Sequence, residues 1–281
     1  DIAGLGRAHW VNGLVHLMAG RADEARAAGI AALEACRSAG DFYGIGNAMN
    51  MLMQVDADLA SAMRLGHEAI EAFERAGYVN QRAMMAGNVA NLYERLGLYR
   101  RARRLQAEVV AAARSTGSRG LLAYALGNQL SAEVRLRDLD AARALLAEFR
   151  QQVSGLADVK IECGLEMSIA EVDLLAGDYV ASARHLRAAL RIARRADLGI
   201  ETIIQTLLGG ALLAVGDAKA ALRATTNATS LHRKQHFALP DSGGSQEIWW
   251  MHAQALAANG HTQKARAAME QAHALLLQGI A

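Results

Sequence analysis

An internal repeat of about 40 residues constrains this chain more than any other feature of the sequence. Each copy contains a turn, usually at glycine, and a small residue, alanine or serine, five positions later. The turns fall at residues 20, 57, 97, 137, 177, 216 and 260, so the spacings are 37, 40, 40, 40, 39 and 44 residues. Ala57 and Arg137 replace the glycine in two degenerate copies. Repetition at this period predicts a row of similar supersecondary units.

The composition indicates that each unit is a pair of helices. The 281 residues include 60 alanines and 26 arginines, both good helix formers, whereas aromatic residues make up 5% and proline occurs once, at Pro240. Strands favour β-branched and aromatic residues. Glycine accepts the left-handed conformation that ends a helix, and a small residue five positions later lets the second helix approach the first. Each copy is therefore predicted to be a helix-turn-helix hairpin.

Seven hairpins are expected to stack, because a single hairpin cannot bury its apolar face. The predicted fold class is all-α, with a single repeat domain over residues 1–281. The predicted units are approximately 4–38, 42–77, 81–116, 119–154, 158–197, 200–236 and 245–279. First helices are expected near 5–18, 43–55, 81–95, 119–136, 159–175, 200–214 and 246–258. Second helices are expected near 22–38, 58–76, 99–115, 139–153, 179–196, 218–235 and 262–278.

The repeat is interrupted once, between His232 and Ser245. This stretch contains Pro240 and two glycines, which favour a loop over a helix. A longer connection between two hairpins accounts for the 44-residue spacing, and a hinge is the alternative interpretation. Ser245 is expected to be the N-cap of the next helix.

The pattern resembles tetratricopeptide repeats, whose signature places aromatic, glycine and alanine residues at set offsets. The matching residues are Tyr93, Gly97 and Ala102 in the third copy, Gly209, Gly216, Ala221 and Ala228 in the sixth, and Trp249, Gly260, Ala265 and Ala272 in the seventh. The resemblance covers essentially the whole chain and implies a right-handed α-solenoid whose first helices line a concave groove. The period is about 40 rather than about 34 residues and the closing proline is absent, as in the longer repeats of bacterial signalling proteins.

The C-terminal stretch has a second, narrower resemblance. Residues 246–250 (Gln-Glu-Ile-Trp-Trp), residues 254–256 and the helix over 265–277 are similar to the end of the repeat region in large bacterial multidomain regulators. Such regulators combine an ATPase module with a nucleotide-cyclase or helix-turn-helix output domain. The resemblance implies that the repeats act as a sensor or protein-interaction segment. Because the sequence begins with Asp1, we expect it to be a piece of a longer polypeptide or a processed chain.

Composition and missing motifs argue against several classes of function. The net charge of +2 and the 52% apolar content argue against disorder, and no apolar run is long enough to span a membrane. GxxxxGK[ST], HExxH and GxSxG motifs are absent, so we expect no enzyme activity and no cofactor. His232 and His236 are expected on a solvated helix face rather than in a metal site. Cys36 and Cys163 are expected to be buried free thiols in a cytoplasmic protein.

Two groups of side chains each have a binding interpretation and a structural one. The basic residues predict either a phosphate-binding track for nucleic acid or the solvent-facing side of outer helices, which the lack of interleaved aromatic residues favours. The methionines predict either an adaptable binding surface or core packing, which is the commoner use. These residues are Arg100, Arg101, Arg103, Arg104, Arg184, Arg187, Arg191, Arg194 and Arg195, and Met49, Met51, Met53, Met84 and Met85.

The first helices carry a recurring Gly-Asn pair, with a second polar residue one turn later. Asparagine is disfavoured inside helices, so its repetition there calls for an explanation. Its amide offers a donor and an acceptor, which suits a peptide backbone or a polyol; in related arrays inward asparagines are used in this way. The alternative is that the amides satisfy backbone groups between neighbouring hairpins. The candidate groove residues are Asn47, Asn50, Asn88, Asn91, Glu94, Arg95, Asn128, Ser131 and Arg135.

A few further residues lie at first-helix positions similar to those of the candidate groove residues or near the two ends of the chain. Gln54, Glu171 and Gln205 lie at similar first-helix positions, and Trp10 and Trp250 are either aromatic anchors or packing at the two ends. The predicted function is a non-catalytic module that binds a protein partner, a peptide or a small molecule, as the sensor or interaction segment of a bacterial signalling or transcriptional regulator. One alternative is a structural scaffold that self-associates, including as a homodimer, through apolar terminal hairpins such as that of Leu275–Leu277. Nucleic-acid binding through the arginines is the other.

Overall fold

The computed structural model describes residues 1–19, 21–56, 58–235 and 244–278, and this part of the chain is all-α. The described residues form fourteen helices and no strand. The helices are α1 (Ile2–Met18), α2 (Ala22–Ala39), α3 (Phe42–Gln54), α4 (Leu59–Arg75), α5 (Val79–Arg95), α6 (Tyr99–Thr116), α7 (Arg119–Arg135), α8 (Leu139–Val153), α9 (Val159–Ala176), α10 (Tyr179–Ala196), α11 (Glu201–Val215), α12 (Ala218–Lys234), α13 (Ser245–Ala258) and α14 (Thr262–Gln278).

The predicted hairpins are confirmed, with helix boundaries that differ from the predicted ones by a few residues. The turn residues adopt the left-handed conformation that the glycines predicted, with φ of 71° at Gly97, 85° at Gly177 and 93° at Gly216. Arg137 adopts the same conformation, at φ 61°, in a copy that lacks the glycine. The predicted turns at Gly20 and Ala57 lie outside the described residues, as does most of the predicted loop, from 236 to 243.

Aspartate side chains begin several second helices directly after the turn. A carboxylate oxygen of Asp138, Asp178 and Asp217 accepts a hydrogen bond from the backbone N–H three residues later, at 3.1, 3.0 and 2.9 Å. Such N-caps satisfy donors that a helix start leaves without partners. The predicted N-cap at Ser245 is wrong, because Gly244 is the cap and Ser245 is already helical, with its hydroxyl 3.2 Å from His232 Nε2.

The small residue five positions after each turn is buried. Ala102, Ala142 and Ala221 are fully buried. Ser182 takes this place in the fifth hairpin, where its hydroxyl donates to the carbonyl oxygen of Ala170 at 2.8 Å. A larger side chain would hold the paired helices apart, so the recurring alanine has a packing cause.

Contacts divide the chain into two compact units. Unit 1 comprises residues 1–96 and 101–125, and unit 2 comprises residues 97–100 and 126–281. The predicted single repeat domain stays a prediction.

The core of unit 1 is built around Phe73 and includes most of the clustered methionines. Met49, Met53 and Met85 belong to the same apolar cluster as Phe73, and Met51 is 1% exposed. The core interpretation of the methionines is therefore confirmed for these four, whereas Met84 is 40% exposed. Trp10, on the N-terminal helix α1, is partly buried.

The apolar core of unit 2 includes clusters in different parts of the unit. One surrounds Leu186 and Ile204, a second joins Trp249 to the alanines of α14, and a third surrounds Leu130. Trp250, next to buried Trp249, is 45% exposed.

Both cysteines are buried free thiols, as predicted, and each belongs to the core of a different unit. Burial raises the pKa of the Cys163 thiol to about 11, and it also raises the pKa of Cys36. None of the described helices combines the length and apolar content needed to cross a membrane.

Candidate binding site

In the Gly-Asn pairs of the first helices, the glycine allows close packing and the asparagine makes polar contacts. A Cβ added to Gly46 would lie 2.8 Å from the ring of Phe73, and one added to Gly127 would lie 3.4 Å from the ring of Phe149. The glycines thus let an aromatic ring from another helix pack against the first helix. The asparagines that follow them supply the polar contacts.

Asparagines of neighbouring hairpins are joined directly in unit 1. Asn50 is on α3 and Asn88 is on α5, and Asn88 Nδ2 donates to Asn50 Oδ1 at 3.2 Å. Both side chains are partly buried. The bond joins consecutive first helices. Its two residues are one helical turn apart in the repeat, because Asn88 is equivalent to Asn47 and Asn91 is equivalent to Asn50.

Two residues that the sequence analysis did not single out extend this contact. Gln106 Nε2 donates to Asn91 Oδ1 at 3.2 Å, and Asn91 Nδ2 donates to the Tyr124 hydroxyl at 3.3 Å. The Tyr124 hydroxyl then donates to Asn88 Oδ1 at 3.5 Å. We call the series Gln106, Asn91, Tyr124, Asn88 and Asn50 the amide chain. Each member donates to the next, an arrangement in which hydrogen bonds polarise and strengthen one another.

The amide chain runs from the core of unit 1 to its surface. Gln106 is fully buried and also donates to the carbonyl oxygen of Gly87 at 3.3 Å, whereas Tyr124 is 41% exposed. At the far end, Asn50 Nδ2 makes no hydrogen bond within the part of the chain that the structure describes. One amide donor is therefore left over for another molecule.

Gln106 could have been found from the sequence. Ala102, Val109 and Ala113 form the buried stripe of α6, and Gln106 falls on that stripe at helical spacing. A polar residue on an apolar stripe indicates a buried hydrogen bond. Tyr124 gives no such signal, because a tyrosine on a helix surface is common.

The other candidate groove residues lie apart from the amide chain in their contacts. Asn47 is 6% exposed, and its Nδ2 has no hydrogen-bond partner among the described residues. Asn128 is partly buried, and its Nδ2 likewise lacks a partner in the described parts of the chain. Glu94, Arg95 and Ser131 are partly buried and make polar or electrostatic contacts.

Arg135 belongs to a charged cluster in unit 2. It ends α7, and its guanidinium donates to both carboxylate oxygens of Glu247 in the first turn of α13, from Nη1 at 3.4 Å and from Nη2 at 3.3 Å. The two residues are 112 positions apart. Glu171 on α9 is the third member of this charged cluster.

The cluster holds two carboxylates for one guanidinium. Burial opposes the charge on Arg135, but Glu247 and Glu171 favour it more, so the pKa of Arg135 is raised. Burial also raises the pKa of Glu171; Arg135 opposes that shift and Glu247 adds to it. The comparable first-helix residues Gln205 and Gln54 are buried and exposed, respectively.

His232 is not on a solvated helix face, and that prediction is wrong. It is 1% exposed, its Nδ1 accepts a hydrogen bond from Trp249 Nε1 at 3.1 Å, and its Nε2 lies 3.2 Å from the Ser245 hydroxyl. His236 lies outside the described residues. Among the residues that are described, no three His, Cys, Asp or Glu side chains are grouped as a metal site requires.

The arginine stripe of α10 faces solvent, an exposure that both of its interpretations require. Arg184, Arg187, Arg191 and Arg195 are exposed, and Arg194 donates to Glu201 Oε2 at 2.7 Å.

No family model matches this chain, and none of the curated protein sequences matches it. Several solved structures resemble it. The apo form of RapI is 13% identical with a TM-score of 0.71, over 97% of this chain and 98% of RapI. A Rap protein complexed with competence and sporulation factor is 12% identical with a TM-score of 0.74, over 97% of this chain and 75% of that one.

A third similar structure is a tetratricopeptide repeat protein from Parabacteroides merdae. It is 12% identical with a TM-score of 0.58, over 96% of this chain and 93% of that protein. At sequence identities of 12–13%, the structural similarity shows a shared fold and nothing about function. The predicted all-α fold class, with repeats like those of tetratricopeptide proteins, is therefore confirmed.

Proposed function

We propose that this chain is a non-catalytic binding module that holds an extended segment of a peptide or protein partner along its first helices. The observation that carries this proposal is the amide chain of unit 1, which ends in a donor without a partner at Asn50. A small molecule rich in hydroxyl or amide groups is the alternative ligand.

The chemistry of the amide chain suits a peptide backbone. Each peptide group has one donor and one acceptor, and a side-chain amide matches both. The bonds from Gln106 to Asn50 already hold the side chains in place, so binding costs little additional side-chain entropy. The exposed ring of Tyr124 adds an apolar surface beside the polar atoms. The same bonds also join neighbouring hairpins, so stability and binding depend on the same side chains.

The charged cluster of Arg135, Glu171 and Glu247 gives unit 2 a different preference for ligand chemistry. Arg135 lies beside two carboxyl groups, those of Glu171 and Glu247, and this excess of carboxyl groups favours a ligand group that is positively charged or donates hydrogen bonds. A Rap protein with this fold has been solved in complex with competence and sporulation factor, which supports a binding role for the fold.

In the cell, the module would act as the sensor or interaction segment of a larger cytoplasmic regulator of bacterial signalling or transcription, joined to an ATPase and an output domain. A ligand that binds one conformation of the repeats more tightly would shift their populations and so bias the output.

The test begins with native mass spectrometry of gently purified protein to detect a bound ligand, and with selection of binders from a library of displayed peptides. The affinity of the recovered ligand is then compared between the wild type and the Asn88→Ala/Asn91→Ala variant. We expect a loss on the order of tenfold or more, because several hydrogen bonds of about 1 kcal/mol are removed together.

Asn227→Ala is the matched control, because Asn227 is exposed on α12 and makes no hydrogen bond among the described residues. Circular dichroism confirms that both variants fold. Recovery of no ligand by either route, or equal affinity of the two variants, contradicts the proposal.

Self-association is the second candidate, because the terminal helices expose apolar side chains. Ile2, Leu5 and Val15 on α1 are more than half exposed, and Leu276 and Leu277 on α14 are 42% and 48% exposed. Sedimentation velocity over a range of concentrations measures this, and a scaffold role predicts that Leu5→Glu or Leu276→Glu dissociates the oligomer. A concentration-independent monomer excludes it.

A further inference from the structure

A second polar feature of unit 1 is not part of the amide chain. A cleft of about 280 Å³ lies between α4, α5 and α6. Its lining residues are His67, Tyr93, Arg101, Arg104, Leu105 and Glu108. No member of the amide chain is among them.

The walls of the cleft are anchored to the core. Tyr93 and Leu105 both pack against the apolar cluster of unit 1 that contains Phe73. The Tyr93 hydroxyl lies 3.3 Å from His67 Nε2, and the two rings are 6.4 Å apart. A hydroxyl and an imidazole from two different helices thus meet at one side of the cleft.

The opposite side is positively charged. Arg101 and Arg104 are three residues apart on α6, so they project from one face. Within the described residues, neither makes a hydrogen bond or ion pair, in contrast to Arg194, which is paired with Glu201 at 2.7 Å. Arg101 lies in the first turn of α6, which contains no acidic residue, and Arg104 lies in the second turn. The dipole of a helix favours an anion near its N-terminus, as the two guanidinium groups also do.

We propose that this cleft binds a phosphate monoester. Two guanidinium groups, an imidazole and a phenol from three helices surround the space, and these are the donors that phosphate oxygens take. The volume suits a phosphoryl group with a small organic part and is near the lower end for ligand pockets. Glu108 also lines the cleft and accepts a hydrogen bond from a hydroxyl or ammonium group of that organic part.

The phosphate monoester comes either from a small phosphorylated metabolite or from a phosphorylated side chain of a protein. Glycerol 3-phosphate and a peptide containing phosphoserine are the probes that distinguish these two sources, with inorganic phosphate as the minimal probe. This proposal does not depend on the amide chain, so it stands or falls separately from the proposed function.

The experiment measures the dissociation constants of the three probes by calorimetry. The Arg101→Gln/Arg104→Gln variant is compared with Arg187→Gln/Arg191→Gln, a matched pair of exposed arginines on α10. We expect saturable binding to the wild type and the control, and binding weaker on the order of tenfold or more in the cleft variant. In the wild type, phosphate also shifts the NMR signals of the His67 ring.

Absence of saturable binding of all three probes to the wild type overturns the proposal. Equal weakening in the two arginine variants also overturns it, because the effect is then one of total charge. A His67 signal that does not respond to any probe places the bound phosphate elsewhere and has the same consequence.

Discussion

The candidate groove residues of the two units make polar contacts of different chemistry on the same repeat. In unit 1 the bonds of the amide chain are uncharged and join side chains 38, 33 and 15 residues apart, that is, within one hairpin or between consecutive ones. In unit 2 the corresponding contact is ionic and joins α7 to α13 across 112 residues. Neutral amides need only hydrogen bonds when they are partly buried, whereas a partly buried charge needs an opposite charge. A tandem repeat thus specifies the positions of polar side chains but not their partners.

The largest effect is expected from breaking the ionic contact of unit 2. Arg135→Met would leave Glu171 and Glu247 close together without their shared cation. Removing one partner of a buried ion pair is costly, but Arg135 and Glu247 retain 32% and 38% of their side-chain exposure, so we expect a loss of about 2–3 kcal/mol. Hydrogen exchange followed by mass spectrometry should show faster exchange in α7, α9 and α13.

Arg187→Met, at an exposed position of α10, is the control for that change and should leave exchange unaltered. If α13 exchanges at the same rate in Arg135→Met as in the wild type, the ionic contact does not stabilise unit 2.

A matched pair of glycine substitutions compares the packing of the two units. In Gly46→Ala the new methyl group would lie 2.8 Å from the Phe73 ring, so we expect a loss of about 1–2 kcal/mol from overpacking. In Gly127→Ala the methyl group would lie 3.4 Å from Phe149, where a small shift accommodates it. Alanine also favours the helix by up to about 1 kcal/mol, so Gly127→Ala should be neutral or stabilising. Urea denaturation measures both, and losses of equal size would refute the difference in packing.

The smallest effects are expected from pH, and they have opposite signs in the two units. The hydrogen bond from Arg7 holds the pKa of Asp41 below 3.8, so this contact stabilises unit 1 above that pH and is lost as the pH falls. Burial holds the pKa of Glu171 above 4.5, so the folded state takes up a proton more readily than the unfolded one, and unit 2 loses stability as the pH rises through the folded pKa.

The variants Asp41→Asn and Glu171→Gln test these signs by urea denaturation across the acid range. At neutral pH Asp41→Asn should destabilise by about 1 kcal/mol and Glu171→Gln should stabilise by a similar or smaller amount. The difference in unfolding free energy between each variant and the wild type should shrink as the pH falls. It should shrink first for Glu171→Gln, because the pKa of Glu171 is the higher of the two. A Glu171→Gln variant that is less stable than the wild type at neutral pH would show that the ionised carboxylate is favourable to the fold.

The sequence by itself determined the helices, the turns and the repeat, because these depend on interactions between residues close together in the chain. Turn glycines, aspartate caps and the alanine five positions later act within about ten residues of one another, so the predicted helix boundaries are confirmed to within a few residues. The asparagine repeat likewise placed Asn50, Asn88 and Asn91 where the structure joins them. Their binding role stays a prediction.

Only the tertiary structure decided which side chains meet across hairpins. Tyr124 has no sequence feature that marks it as a partner of Asn88 and Asn91, and the pairing of Arg135 with Glu247 depends on how the two hairpins between theirs, α9–α10 and α11–α12, stack. The same holds for His232, which is buried and accepts a hydrogen bond from Trp249, 17 positions later in the chain. Contacts over such separations accumulate the rotation of every intervening hairpin, which local propensities do not specify.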